Sequence, residues 1–291
     1  MSSAKKLSPY SFDAGRIARL LTRPNIGYAP PTGPHDDVFP EEGYVILRGA
    51  ASKQDCQDII KEYEAFEQWR DDKNCQVRDE NGRNYRLVNF HLVSEKLRAI
   101  GLNGNAHDLT GRFFGQKSLV YTSLYFKHGS QQRPHIDTPF FWTQPMNMFC
   151  GVWLALEDVS PDAGPVIYYP GSHKYFSDPA KLKRYHDAAE GDVQRMFGLM
   201  ESDIRDAIQP AFAEIKAGDI FIWHPGLMHG GSPAKVPGLT RHSVVFHFAP
   251  LGVNVRDHKK FLQPFVNWPK YGVVEQAGRY YARGSLPAIM I

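Results

Sequence analysis

Apolar and polar positions change their rhythm near residue 118. From Ser118 onward the apolar positions recur with period two, giving strand-like segments at Leu119 to Lys127, Met148 to Leu156, Val166 to Tyr169, Ala213 to Ile215, Asp219 to Trp223 and His242 to Phe248. Turn-forming runs separate most of them: Asp162-Ala163-Gly164-Pro165, Pro170-Gly171-Ser172 and Ala217-Gly218-Asp219. Many short strands divided by such turns predict a mainly β fold with two facing sheets, a jelly-roll or cupin-like barrel, and not a chain of βαβ units.

Before residue 118 the periodicity is mixed. Phe12 to Leu21 reads as a short helix, and a Pro-rich arm follows it, so residues 1–40 are expected to form an N-terminal extension to one domain spanning 41–291. Gly43 to Arg48 is a β-branched run expected to be the first strand. Ser52, with Asp55 three residues on, has the pattern of a helix N-cap, and Cys56, Ile59, Ile60, Tyr63 and Phe66 then recur at helical spacing, predicting a helix laid over one face of a sheet. Asp71 to Arg86 is charged and turn-rich. Ser94 to Leu102 and Ala106 to Phe114 have helical patterning. A helical insertion at about 175–210, including Pro179 to Tyr185 and Asp192 to Ile208, interrupts the strands, as a lid or as decoration.

The composition removes several classes of function. The formal net charge is only +3, with Lys and Arg scattered, so neither nucleic acid nor an anionic membrane surface is an expected partner; a small-molecule substrate is. Cys56, Cys75 and Cys150 have no C-x-x-C spacing, which argues against a disulfide framework or zinc site. Met1 to Lys6 is polar with no apolar run behind it, and no stretch approaches 18 apolar residues, so a cytoplasmic protein is expected. Nothing in the pattern fixes an oligomeric state.

Chemistry concentrates at the end of the first long strand. In Pro134-His135-Ile136-Asp137 two polar side chains two residues apart project from one face of an extended segment. An imidazole and a carboxylate suit divalent iron, and a second histidine would complete a set of three ligands that leaves adjacent positions open. With 12 histidines in 291 residues about one His-x-Asp arises by chance. The other, His35-Asp36-Asp37, lies in a Pro/Gly-rich stretch and reads as a solvated loop. Downstream, Trp223-His224-Pro225-Gly226-Leu227-Met228-His229-Gly230-Gly231-Ser232-Pro233 puts His229 on a turn at a strand end. On what reads as the final strand, Arg241, Ser243, Val245 and His247 share one face, offering a guanidinium fork that fits a carboxylate as lysine would not.

His135-x-Asp137, His229 and Arg241, with Trp153 in GVWLALEDVSPDAGPVIYYPGSHKYF, resemble the phytanoyl-CoA dioxygenase family of Fe(II)/2-oxoglutarate oxygenases, including its ectoine hydroxylase branch. The similarity covers roughly Ser118 to Pro250, and GYVILRGAASKQDC matches the usual family opening. The resemblance implies a double-stranded β-helix with flanking helices, Fe(II) held by His135, Asp137 and His229, and Arg241 paired with the distal carboxylate of 2-oxoglutarate. It implies Trp153 in the co-substrate pocket, with Tyr125, Ser123 and less directly Tyr121 as further contacts. The sequence departs from the family at one point: many relatives carry Ser two residues after the distal histidine, where this chain has Gly231, leaving Ser243 or Ser232 to substitute. Asp137 disfavours halogenation, since halogenases on this scaffold have Gly or Ala there. The implied reaction is hydroxylation of a small-molecule or carrier-bound metabolite, with 2-oxoglutarate and O₂ converted to succinate and CO₂. Substrate contacts are expected from Thr138, Phe140, Phe141, Arg133 and Gln132, near the barrel mouth. Two other readings stand beside it: a redox-neutral cupin-type isomerase or lyase, and a non-catalytic jelly-roll binding protein.

Overall fold

The computed structural model describes residues 38–69, 76–78, 84–102, 104–143, 146–253, 255–256 and 272–283. The expected helix at Phe12 to Leu21, and all but the last residues of the 1–40 extension, lie outside them. In chain order the elements are α1 (Val38–Glu42), β1 (Tyr44–Leu47), α2 (Lys53–Trp69), β2 (Gln76–Arg78), β3 (Asn84–Val88), α3 (Glu95–Gly101), α4 (Gly104–Phe114), β4 (Ser118–Phe126), β5 (Trp142–Thr143), β6 (Cys150–Ala155) and β7 (Val166–Tyr168). They continue with α5 (His173–Phe176), α6 (Pro179–Ala188), α7 (Val193–Ile204), β8 (Ala211–Phe212), β9 (Ile220–Trp223), β10 (His229–Gly231), β11 (Ser243–Pro250), β12 (Val255–Arg256), β13 (Gly272–Gln276) and β14 (Arg279–Arg283).

The fold is mainly β, a double-stranded β-helix flanked by helices. The larger sheet runs β1-β9-β6-β11-β4-β14-β13, with the β2–β3 hairpin attached to β4. The smaller sheet runs β10-β7-β8. Ser52 caps α2 as its spacing predicted: Asp55 N donates to Ser52 Oγ at 3.0 Å, and that hydroxyl donates to the Asp55 carboxylate at 2.6 Å. Its apolar stripe of Cys56, Ile59 and Tyr63 is buried against Val152, Leu154, Ile220, Ile222 and Val244 of the larger sheet. The opposite face of that sheet meets the smaller one, where Trp153, Phe221 and Trp223 pack with Val166 and Tyr168. Full burial of a side chain such as Ile59 contributes about 2 kcal/mol, so α2 holds one face of the sheet and leaves the other for the site.

The structure corrects the strand reading at four places. Ala213 to Ile215 keeps the expected in-out alternation, but the ladder itself is Ala211–Phe212, and Ala213 N donates to Val166 O at 2.9 Å where β7 begins. Asp71 to Arg86 contains β2 and the first residues of β3, which pair as a hairpin. β11 begins at Ser243, after Arg241, and is not the final strand: β13 and β14 follow, with β14 running parallel to β4. The fourth correction is a bulge: His247 pairs with Thr122 but Phe248 with Val120, so Tyr121 is the extra residue in β4. The bulge reverses which side each later residue of β4 faces.

Candidate metal centre

The two sheets meet at a pair of histidines. His135 N donates to His229 O at 2.8 Å and His229 N to His135 O at 2.9 Å, an isolated antiparallel bridge that joins the loop after β4 to β10. Two residues on, Asp137 N and Thr138 N both donate to Pro225 O, at 2.8 and 3.1 Å, which pins the carboxylate's backbone to the turn before His229. The side chains converge as a result. His135 Nε2 and His229 Nε2 lie 3.7 and 3.8 Å from Asp137 Oδ1, and the ligand atoms of the three residues all lie within 4.8 Å of one another.

Each ligand is held in a state fit for a cation. His135 Nδ1 lies 2.8 Å from Arg133 O and His229 Nδ1 lies 2.9 Å from Leu227 O. A carbonyl only accepts, so each Nδ1 carries the proton and each Nε2 presents its lone pair. Burial pushes both imidazoles down to about 4, so they are neutral at ordinary pH. Trp223 Nε1 donates to Asp137 Oδ2 at 2.8 Å, leaving Oδ1 towards the imidazoles. Burial raises the Asp137 carboxyl, against the lowering effect of His135 and the Trp223 bond. A divalent cation would supply the missing positive charge for this desolvated carboxylate.

The cavity at this centre is also lined by Arg241, Trp153, Arg86, Gln132, Ser130, His247, Leu124 and Phe126. Arg241 is buried, donates from Nη1 to Gly164 O at 2.6 Å, and has its guanidinium carbon 5.5 Å from the Trp153 ring centroid. Trp153 Nε1 is buried with no hydrogen-bond partner, a donor suited to an acidic ligand. The structure therefore brings His135, Asp137, His229, Arg241, Trp153 and Gln132 together around one space.

Other expected residues fall elsewhere. Tyr125 OH is 2.7 Å from His242 Nδ1, and its ring stacks on Tyr63 beneath α2. Ser123 Oγ is 2.7 Å from His91 Nδ1, also outside the cavity. Both point away because the Tyr121 bulge shifts the alternation, and Leu124 and Phe126 face the site in their stead. Tyr121 joins the core beside the insertion. Ser243 shares the face of Val245 and His247, but its Oγ is buried without a partner and does not line the cavity. Ser232 Oγ donates to Pro165 O at 2.7 Å.

Thr138 Oγ1 donates to Asn147 at 2.8 Å, and Phe141 stacks on Phe149 beside His247, so both are core groups. Phe140 packs nearer the site, its ring 6.0 Å from that of His135, whereas Arg133 is exposed and gives the centre only its carbonyl. The insertion packs against the centre: Phe197 of α7 sits 5.9 Å from the His135 ring and 5.6 Å from Phe140, in a core with the buried Met196, Met200 and Met228.

Sequence reasoning missed Trp223 and Arg86. Trp223 stands in the quoted WHPG run, but its bond to Asp137 crosses between β9 and a distant loop. Arg86 comes from the hairpin read as a charged turn region, yet it is 2% exposed and lines the cavity.

The profile of the family described as phytanoyl-CoA dioxygenase (PhyH) matches residues 39–243. A phytanoyl-CoA dioxygenase domain-containing protein 1 homolog from Caenorhabditis briggsae is 25% identical over 163 residues, 54% of this chain and 56% of that protein. The Homo sapiens protein named "Phytanoyl-CoA dioxygenase, peroxisomal" is 26% identical over 150 residues, 52% of this chain and 43% of the relative. The chain thus spans about half the length of these curated relatives. Among solved structures, EctD from S. alaskensis with bound Fe shares the fold, with a TM-score of 0.60 at 16% identity over 79% of this chain and 81% of that one. With the family profile matched from α1 through the arginine that shares the metal cavity, this chain belongs to the phytanoyl-CoA dioxygenase family.

Proposed function

We propose that this chain is a non-haem Fe(II)/2-oxoglutarate-dependent dioxygenase, with residues 41–291 as its catalytic domain, that hydroxylates an unactivated C–H bond of a small-molecule or carrier-bound metabolite. One observation carries the reading: a two-histidine, one-carboxylate centre shares a single buried cavity with an arginine fork. His135 Nε2, His229 Nε2 and Asp137 Oδ1 would hold the iron. Arg241 would pair with the distal carboxylate of 2-oxoglutarate over the Trp153 ring. The bound iron and co-substrate supply the oxidising chemistry, with 2-oxoglutarate and O₂ converted to succinate and CO₂.

The chain's own part is to bind, orient and exclude water. Neutral imidazoles keep both lone pairs on the metal, Trp223 fixes which carboxylate oxygen faces it, and Phe140 and Phe197 dry one flank. Gln132 and Phe140 remain as substrate contacts, with Arg133 outside. EctD, whose solved structures include one with 2-oxoglutarate and 5-hydroxyectoine, supports the same use of the fold here.

The test is an anaerobic titration with Fe(II) and 2-oxoglutarate, followed by the visible charge-transfer band of the chelate and then by succinate release with O₂. The band should appear with wild type and be lost in His229→Ala. Iron binding without the band would favour a redox-neutral cupin-type enzyme, and absence of iron binding a non-catalytic jelly-roll protein.

A further inference from the structure

The space around the centre is too small for two organic ligands. The cavity that His135, Asp137 and His229 share with Arg241 holds about 60 Å³, against roughly 300–1,000 Å³ for a small-molecule site. A substrate beside 2-oxoglutarate therefore needs room from one of the flanks. Much of the cavity wall is ladder: Trp153, Trp223, Val245 and His247 stand on β6, β9 and β11. The flank made by Phe140 and Phe197 is different, since both rings lie against that of His135, at 6.0 and 5.9 Å, and neither lines the cavity. Phe140 is tied to the ligand loop, its N donating to Asp137 O at 2.9 Å. Phe197 is carried by α7, outside both sheets.

The helix is weakest beside that ring. Both of its ends are anchored: Asp192 Oδ1 accepts from Gln194 N and Arg195 N at 2.8 and 3.0 Å, Tyr169 OH donates to Glu201 at 2.8 Å, and Tyr185 OH donates to Asp203 at 2.5 Å. Between the anchors stands Gly198, next to Phe197. Its φ lies outside the left-handed region and a Cβ there would meet nothing within 4 Å, so neither backbone nor packing requires glycine. Glycine inside a helix is less stable than alanine, chiefly through backbone entropy. Phe197 also shares its core with Met196, Met200 and Met228, unbranched side chains that re-pack readily.

We propose that Phe197 is the specificity-determining residue of this site: its ring gives way at the Gly198 turn of α7 to open the substrate space beside His135, and its size limits what enters. The inference rests on the metal-centre reading above.

The experiment loads the full chain with Co(II) and follows the visible metal spectrum as imidazole, or the bulkier phenylimidazole, is added. Phe197→Ala should tighten phenylimidazole binding about tenfold or more, the range over which pocket size discriminates apolar groups, and leave imidazole binding little changed. Phe197→Leu keeps an apolar side chain in the core and should give the same ordering with a smaller gain. Gly198→Ala, on the solvent face of α7, should slow the association of both probes severalfold without changing Co(II) affinity. Equal gains for the two probes, no gain in either Phe197 variant, or association at the wild-type rate in Gly198→Ala would overturn the assignment. A wild type that gives no Co(II) spectrum would overturn the metal centre itself, and Phe197 with it.

Discussion

Trp223 Nε1 donates to Asp137 Oδ2 at 2.8 Å, and this one bond decides which oxygen of the buried carboxylate is left for a cation. Trp223→Phe keeps an aromatic ring but removes the donor. Metal affinity should fall about 10- to 100-fold, the usual cost of losing a partner of a metal ligand. Titration with Co(II), compared with wild type at one pH, measures it; equal affinities would mean that Asp137 is oriented by its backbone alone.

Gly151 acts on the same bond from the neighbouring strand. It pairs with Trp223, and a Cβ on it would lie 2.2 Å from the indole Cε2. Gly151→Ala should displace the indole, costing about 1–3 kcal/mol in stability and reducing metal affinity as Trp223→Phe does. Urea unfolding and the Co(II) titration should both move, and an unaffected metal titration would uncouple the indole position from the carboxylate.

Substituting a metal ligand should separate function from folding. His135→Ala or His229→Ala should abolish metal-dependent turnover while circular dichroism stays native, because the His135–His229 bridge is made by backbone groups and survives the loss of either ring. Loss of the β signal in both variants would show that the rings themselves hold the sheets together.

At the far end of the cavity, Arg241→Lys keeps the charge but not the fork. It also loses the bond to Gly164 O and the contact over Trp153. The requirement for 2-oxoglutarate should rise by about tenfold or more, with Fe(II) affinity preserved. A lysine variant with wild-type co-substrate dependence would place that carboxylate elsewhere.

The buried histidines set the pH profile of stability. Burial lowers His91 and His224 to about 3, and His107, His135 and His229 to about 4, from 6.5. Between about pH 4 and 6.5 the unfolded chain therefore binds protons that the native one refuses. Metal-free stability should rise with pH across that window, by up to about 1.4 kcal/mol per pH unit for each such imidazole, and level off above it. A urea midpoint at pH 5 equal to that at pH 7 would show that these groups take up protons without unfolding.

Much of this was legible along the chain. Period-two runs located most strands of both sheets, Ser52 and Asp55 marked the start of α2, and the His135-x-Asp137, His229 and Arg241 set named the centre, because ligand chemistry resides in residue type and local spacing. The alternation of Val245 and His247 also held, since β11 is regular up to the step between His247 and Phe248, and Arg241, which precedes β11, lines the same cavity. The β13–β14 hairpin escaped notice because its turn is Ala277-Gly278, both with positive φ, and lacks the Asn-Gly or Asp-Gly signal.

The donor set and the strand periodicity depend on neighbours within a few residues, and both can therefore be read from the chain directly. Which way those donors face is settled only when distant segments meet. One extra residue in β4 turned Ser123 and Tyr125 out of the site, a β9 indole chose the oxygen of Asp137, and a hairpin delivered Arg86. Each of these depends on register or close approach between segments far apart in the chain. Local pattern carries no information about either.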